Sequence, residues 1–280
     1  MKQLLLCIFF ACIQFGTHLW ADFKHELSIC AIFQSDAKWL PEWIAFHKKQ
    51  GVSHFWLYNN LSKDAYQTYL RPYIDSGLVE LIPWPIDYRS EPEWASVQEG
   101  AYRDCLQRSR KVTRWCAFLD TDEFLFSPTG ETVAHILQEF TEFPGVCAHW
   151  RMYGTSHVEK IPDGLGVLNT LLYRAPDDFG PHRLFKSIVQ PRKVKGTLGA
   201  HMFSYKRGYA VDDQKHRHPG LAVQEIGGSI LRINHYWTRD EEFLHQVKIP
   251  RRLRWREDAE AVLRAASEMN AVYDPILMVY

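Results

Sequence analysis

A regular alternation of strand-like and helix-like segments near the start of the chain constrains its fold more than any other feature. Short apolar runs rich in β-branched and aromatic residues are typical of buried strands, and they occupy residues 27–35, 52–60 and 78–84. The segments between them repeat apolar side chains at helical spacing, and these are residues 38–51 and 65–77. Such an alternation implies parallel strands joined by right-handed crossovers. The sequence therefore predicts an α/β fold.

The pattern continues to about residue 154 and then loosens. Further helices are predicted at residues 93–111 and 132–140, and further strands at 113–120, 145–154, 183–194 and 227–237. Residues 199–220 are polar and predicted to be loop-like, whereas residues 238–270 have a helical pattern interrupted at Pro250. We therefore predict one domain over residues 22–237 and a C-terminal helical extension over residues 238–280.

The first 21 residues differ from the rest and predict a targeting segment. An apolar run from Leu4 to Phe15 follows Lys2, and it is shorter than the roughly 20 residues that span a bilayer. This arrangement indicates a signal peptide. Leu19 and Ala21 would occupy the two small-residue positions of the cleavage site, and because Leu is not small, a retained membrane anchor is the alternative. Either reading predicts a protein that is membrane-associated or exported.

Composition and missing motifs exclude several classes of function. The formal net charge is zero, which argues against a dedicated nucleic-acid binder. The four cysteines beyond the leader form no CxxC pair, so a zinc site is not expected, and Cys30 and Cys116 are predicted to be buried thiols. The sequence has no GxSxG, P-loop, GxGxxG or HExxH motif, which disfavours hydrolases, kinases and dehydrogenases.

An acidic pair follows the predicted fourth strand, in the stretch "WCAFLDTDEFLF". Asp120 and Asp122 are separated by one residue, and ligands of open α/β sheets bind at the C-terminal ends of strands. Carboxylates in this arrangement can hold Mn2+ or Mg2+. His235 and His201 are candidates for a further ligand. The alternatives are a solvated turn for the acidic pair and ordinary packing for each histidine.

Basic residues in two places could meet phosphates. Lys186 and Arg183 lie in the predicted strand at residues 183–194 and could bind a phosphate or face solvent. The cluster at residues 251–256 is predicted to be a solvated or membrane-proximal helix face.

Several segments in the same order resemble glycosyltransferase family 92, once a domain of unknown function, and its family-2-like relatives. They are "LPEWIAFHKKQGVSHFWLYNN", "CAFLDTDEFLF", "HWRMYG", "FKSIVQP", "RINHYWTRDEEF" and "EMNAVYDPI". The resemblance implies a GT-A fold, in which a Rossmann-like, mostly parallel sheet binds a nucleotide sugar and carries an Asp-x-Asp motif after its fourth strand. It also implies transfer of a hexose, often galactose, from a nucleotide diphosphate sugar to a glycan or other hydroxyl acceptor, with inversion.

The resemblance also implies roles for particular residues. Asp122 would bind the metal directly, and Asp120 would contact ribose or reach the metal through water. His235 matches the position of the extra metal ligand, with His201 as the alternative. Lys186 would contact the diphosphate.

Other donor and acceptor contacts follow from the same resemblance. Gln34, Ser35 and Asp36 would lie near the nucleotide base. Asn59 would lie in the donor site, although relatives often have an acidic residue there. An inverting transferase needs a general base, and Asp177 and Asp178 are candidates, with a simple turn as the alternative.

Two other classes of function remain as alternatives. The chain could be a non-catalytic, carbohydrate-binding relative of the same fold. It could also be a metal-dependent phosphotransferase or nucleotidyltransferase that uses the same pair of aspartates.

Overall fold

The N-terminal strand–helix alternation is confirmed. The computed structural model describes residues 23–223, 225–255 and 258–279, so the predicted leader at residues 1–21 lies outside the described residues. The first five elements are β1 (His25–Phe33), α1 (Leu40–Lys49), β2 (His54–Asn59), α2 (Tyr66–Asp75) and β3 (Val79–Pro83).

The rest of the domain adds strands to both the central sheet and its margins. The next elements are α3 (Glu91–Ser109), β4 (Thr113–Phe118), β5 (Glu123–Phe126), α4 (Val133–Ile136), β6 (Gly145–Met152), α5 (Val167–Thr170), β7 (Tyr173–Arg174), β8 (Phe185–Val189), β9 (Val194–Thr197), β10 (Phe203–Tyr205), β11 (Ala210–Val211) and β12 (Arg232–His235). The C-terminal elements are α6 (Glu241–Phe243), a π-helical turn (Leu244–Lys248), α7 (Ile249–Arg254), α8 (Ala259–Glu268) and β13 (Val272–Tyr273).

The central sheet is mixed but mostly parallel, in the order β3-β2-β1-β4-β8-β6-β12-β5. Strands β1 to β4 pair in parallel, and β6 pairs in parallel with β12. Strand β8 is antiparallel to both of its neighbours, and β5 is antiparallel to β12. The predicted Rossmann-like, mostly parallel sheet is confirmed, and Asp120 and Asp122 lie between β4 and β5.

Hydrophobic side chains cover both faces of the sheet, and strand β1 shows this because its apolar residues alternate between two cores. Leu27, Ile29 and Phe33 point into the larger core, which α1 covers. Cys30 and Ile32 point into the second core, beneath α3. A strand buried on both faces reads as a continuous apolar run, which is why β1 was recognisable in the sequence.

Two local predictions were wrong in part. Residues 199–220 contain β10 and β11. These strands form because β9 and β6 supply backbone hydrogen-bond partners, which the polar sequence of this segment does not indicate. The helix predicted at residues 132–140 consists of α4 followed by a 3-10 turn at Leu137–Phe140. Cys30 and Cys116 are buried free thiols, as predicted.

The C-terminal extension folds back onto the domain. The carboxylate of Asp274 accepts hydrogen bonds from Arg232 at 2.7 Å and from Arg174 at 2.8 Å. Asn270 accepts one from the backbone N–H of Ser156 at 2.7 Å. Across the described ranges, no helix is both long and apolar enough to cross a membrane.

Candidate active site

A cleft of about 700 Å³ opens at the C-terminal ends of β1 and β4. This volume falls within the range of roughly 300–1,000 Å³ that is common for small-molecule sites. Asp120, Thr121 and Asp122 lie on its wall. The predicted acidic pair is therefore at the mouth of the sheet, where a ligand of an α/β fold binds.

Asp120 is fixed on both of its carboxylate oxygens. Oδ1 accepts a hydrogen bond from Nε2 of Gln98 at 2.7 Å, and Oδ2 accepts one from Nζ of Lys186 at 2.8 Å. Gln98 is on α3, whose N-terminus is capped by the Ser90 hydroxyl. The backbone N–H of Asp120 donates to Oε2 of Glu123 at 2.9 Å, which closes the loop onto the start of β5.

Lys186 supplies the positive charge for this side of the loop. Its side chain is buried, and Nζ lies 3.7 Å from Oε2 of Glu123. Burial disfavours the ammonium, but the carboxylates of Asp120 and Glu123 outweigh it and hold the pKa of Lys186 well above its usual value. Burial raises the pKa of Glu123 well above its usual range, with Lys186 opposing this and Asp120 and Asp122 adding to it.

The side of the loop that carries Asp122 is more loosely arranged. Oδ1 of Asp122 lies 3.3 Å from Nε2 of His235, and Oδ2 lies 3.6 Å from Nζ of Lys248. Burial favours the neutral acid, but the nearby side chains of His235 and Lys248 outweigh it and lower the pKa of Asp122. Burial also lowers the pKa of Lys248 to about 8, against the attraction of Asp122. The carboxylate of Asp122 is thus ionised and within reach of the cleft.

The two candidate histidines have different surroundings. His235, at the end of β12, faces Asp122. Nδ1 of His201 lies 2.7 Å from the carbonyl oxygen of Phe185; because a carbonyl only accepts, Nδ1 carries the proton. Both imidazoles contact the Trp150 ring, and both line the cleft. Burial lowers the pKa of His201 to about 4.

Asp122 and His235 could hold a divalent ion. Within the described residues, no cluster of three or more His, Cys, Asp or Glu side chains is arranged as a metal site. However, Mg2+ and Mn2+ sites often use one or two protein carboxylates and complete their shell with phosphate and water oxygens. The oxygen of Asp122 and the imidazole of His235 fit the protein part of such a shell, whereas the oxygens of Asp120 are already engaged.

The residues predicted near the nucleotide base divide into two groups. Gln34 and Asp36 line the cleft. Ser35 and Asn59 are absent from its described lining, and both hydrogen-bond to Ser62 instead. Asp36 accepts hydrogen bonds from the Thr121 hydroxyl at 2.9 Å and from Arg239 at 2.6 Å, so it holds the middle of the acidic loop.

The candidate bases lie away from the acidic pair. Asp177 is exposed and forms an ion pair with Arg174 at 2.8 Å, and Asp178 is also exposed. Neither is among the described residues that line the cleft, although Phe179 and Pro181 are. A base role for either aspartate stays a prediction, and its position gives that role no support.

The sequence reasoning missed the C-terminal contribution to the cleft. Lys248, Arg251, Arg252 and Trp255 all line it. The prediction that residues 251–256 form a solvated or membrane-proximal face was wrong for Arg251 and Arg252, because the chain folds back over the sheet after β12. The density of basic residues was visible in the sequence, but its location was not.

A mostly parallel sheet with a carboxylate pair at the mouth of its cleft is the α/β arrangement that the resemblance to GT-A glycosyltransferases implied. Residues 25–259 match the sequence profile of glycosyltransferase family 92. The chain belongs to that family.

Relatives match this chain over part of their own length. A family 92 protein of Oryza sativa subsp. japonica is 28% identical over 78% of this chain and 34% of its own length. The beta-1,4-galactosyltransferase galt-1 of Caenorhabditis elegans is 24% identical over 77% of this chain and 49% of its own. The chain thus spans between a third and a half of these proteins.

Among solved structures, S. aureus TarS 1-349 in complex with UDP-GlcNAc is a remote match. Its sequence identity is 10% and its TM-score is 0.37, over 86% of this chain and 70% of that one.

Proposed function

We propose that this chain is a metal-dependent glycosyltransferase that moves a hexose from a nucleotide diphosphate sugar to a hydroxyl of a glycan acceptor. The observation that carries the proposal is the pairing of Asp122 with His235, next to Asp120 and Lys186, at the mouth of the sheet. Membership of family 92 supports the reaction class. The naming of the C. elegans relative as a galactosyltransferase makes galactose the first sugar to test.

The reaction forms a bond between the acceptor oxygen and the anomeric carbon of the sugar. The bond from that carbon to the diphosphate breaks, the nucleotide diphosphate leaves with the electron pair, and the acceptor hydroxyl gives its proton to a general base or to water. Negative charge therefore builds on the diphosphate, and positive groups fixed nearby stabilise that transition state. Attack from the face opposite the diphosphate would give the inverted product.

The residues of this chain have separate tasks in this scheme. Asp122 and His235 would hold Mn2+ or Mg2+, which when bound supplies a Lewis acid for the departing diphosphate. Lys186 fixes Asp120 and keeps the loop rigid. Gln34 and Asp36 line the part of the cleft that would receive the nucleotide. We further propose that the segment at residues 1–21 directs the protein to a membrane or out of the cytosol.

A screen of donors tests the proposal. The wild-type protein is incubated with a panel of UDP- and GDP-sugars, with and without Mn2+, and release of the free nucleotide is measured. We expect turnover of at least one donor, and Asp122→Asn should abolish most of it. Asp163→Asn is the matched control, because Asp163 is exposed and does not belong to the described cleft lining.

The same screen separates the alternatives. A protein that neither binds nor turns over any donor, and in which Asp122→Asn changes nothing, is not a transferase; binding to carbohydrate alone would then favour the non-catalytic alternative. Release of a sugar phosphate or transfer of a nucleotidyl group would instead favour a phosphotransferase or nucleotidyltransferase.

A further inference from the structure

The C-terminal segment brings two positive side chains to the cleft on the side that carries Asp122. Lys248 ends the π-helical turn Leu244–Lys248, and Arg251 lies one turn further along, in α7. Single π-helical turns are rare in proteins, and those that occur are often found at functional sites. Both side chains line the same cleft as the acidic pair.

Lys248 is buried but loosely paired. Its side chain is 9% exposed, and its described ion pair, with Oδ2 of Asp122, is 3.6 Å long. Its other neighbour is the ring of Trp237, whose centroid lies 4.8 Å from Nζ. An ammonium loses hydration when it is buried, and a full complement of hydrogen bonds would be needed to compensate for that loss.

Arg251 also has an unsatisfied donor. Its Nε–H is buried and has no hydrogen-bond partner in the structure. Buried donors without a partner are uncommon in folded proteins, so each one calls for a physical reason. Because Arg251 lines the cleft, a small rotation of its guanidinium would bring this donor to an anion that enters.

Charge balance indicates what kind of anion would fit. One carboxylate, Asp122, lies between the imidazole of His235 and the ammonium of Lys248, and it is also the proposed ligand of a divalent ion. With that ion in place, the ammonium of Lys248 would be repelled by it. A diphosphate carries enough negative charge and enough oxygens to pair with the divalent ion and with the ammonium of Lys248 at once.

We propose that Lys248 and Arg251, together called the clamp, form a protein-borne contact for the donor's diphosphate in addition to the metal. This inference rests on the proposed function, and it adds that donor binding does not depend wholly on the metal. Lys248 and the divalent ion compete for Asp122 when no donor is present and act together when a diphosphate is bound.

Binding measurements without turnover test the clamp. UDP is titrated into the wild-type protein and into Lys248→Met and Arg251→Met, by calorimetry, with EDTA and then with Mn2+. We expect UDP to bind the wild type in EDTA, and each variant to bind it about 10- to 100-fold more weakly, as for the loss of a hydrogen bond to a charged group. Arg254→Met is the matched control, because Arg254 is an exposed residue of the same helix, and it should bind UDP like the wild type.

Mn2+ alone gives an independent readout. The bound fraction of Mn2+ is measured by electron paramagnetic resonance in the absence of nucleotide. Because the ammonium repels the ion, Lys248→Met should bind Mn2+ as tightly as the wild type or more tightly, although it binds UDP more weakly. Lys248→Arg keeps the charge and should restore UDP binding, which separates the clamp from a folding defect.

Several outcomes would overturn the clamp. One such outcome is that Lys248→Met and Arg251→Met bind UDP as tightly as the wild type does. Another is UDP binding by the wild type in Mn2+ but not in EDTA, which would leave the proposed function intact. Absence of UDP binding under both conditions would count against the proposed function as well.

Discussion

Asp120 and Asp122 are two residues apart, yet their surroundings differ. Both oxygens of Asp120 are engaged at 2.7–2.8 Å, by Gln98 and Lys186. The nearest partners of Asp122, His235 and Lys248, stand at 3.3 and 3.6 Å. Short, charge-assisted contacts fix a group in place, whereas longer ones leave room for a ligand. The comparison assigns Asp120 to the framework of the site and Asp122 to the binding of ligand.

The largest expected effect is on the Asp120 side. Lys186→Met leaves the buried Glu123 and the partly exposed Asp120 without their cation, and removing one partner of a buried pair typically costs about 3–5 kcal/mol. We expect a loss of that size in the free energy of unfolding, measured by urea titration. Lys160→Met, which removes an exposed pair with Glu242, should leave the midpoint unchanged. Equal stability of the two variants would show that Asp120 is not part of the framework.

The next effect is on the Asp122 side and concerns activity. Asp122→Asn should lower the rate of donor turnover by about 10²- to 10³-fold, the usual loss when one fixed electrostatic contact to a transition state is removed. It should cost less stability than Lys186→Met, because the contacts of Asp122 are longer. Thermal melting of the same samples checks this second point. A variant that retains full activity would break the assignment.

A third prediction concerns the loss of stability at low pH through His47, which contacts strand β5 after the acidic loop. The backbone N–H of Leu125 donates to Nε2 of His47, and Nδ1 of His47 lies 2.9 Å from the carbonyl of Trp43, so the folded protein holds a neutral imidazole. Burial lowers the pKa of His47 to about 3. Between pH 6.5 and 3 the unfolded chain therefore binds a proton that the folded chain excludes, and stability falls as the pH falls.

His47→Gln removes this titration and tests its size. Wild type and variant are compared by urea unfolding at pH 7.5 and at pH 5. We expect the stability advantage of the wild type to shrink by about 2 kcal/mol between the two, because each pH unit in that window is worth about 1.4 kcal/mol. A constant difference across the two pH values would contradict the neutral buried imidazole.

The smallest expected effect is in the middle of the loop. Thr121→Val removes the hydroxyl that donates to Asp36, and a single hydrogen bond is worth about 1 kcal/mol. Asp36 keeps its ion pair with Arg239, so the loop should remain in place. Unfolding in urea measures the loss; a loss as large as that of Lys186→Met would show that Asp36, rather than Lys186, fixes the loop.

Much of this fold was readable from short windows of sequence. Strands β1 to β4 and the helices between them are predictable from the sequence, because a strand buried on both faces and an amphipathic helix have different apolar periods. Strands β10 and β11 were not readable, because three- and two-residue strands leave no period to detect. The strand β5 after the acidic pair was missed because its four residues are all buried and show no alternation.

The sequence by itself determined that the chain has an α/β sheet and that Asp120 and Asp122 follow its fourth strand. Only the tertiary structure decided that the carboxylate of Asp120 is engaged by protein groups and that the carboxylate of Asp122 is left with longer contacts. Lys186 meets Asp120 across 66 positions, and Arg239 meets Asp36 across 203. Contacts over such separations depend on how the sheet stacks distant segments, and no local pattern encodes them. For the same reason Arg251 and Arg252, which the sequence predicted to lie on a solvated or membrane-proximal face, line the cleft in the folded chain.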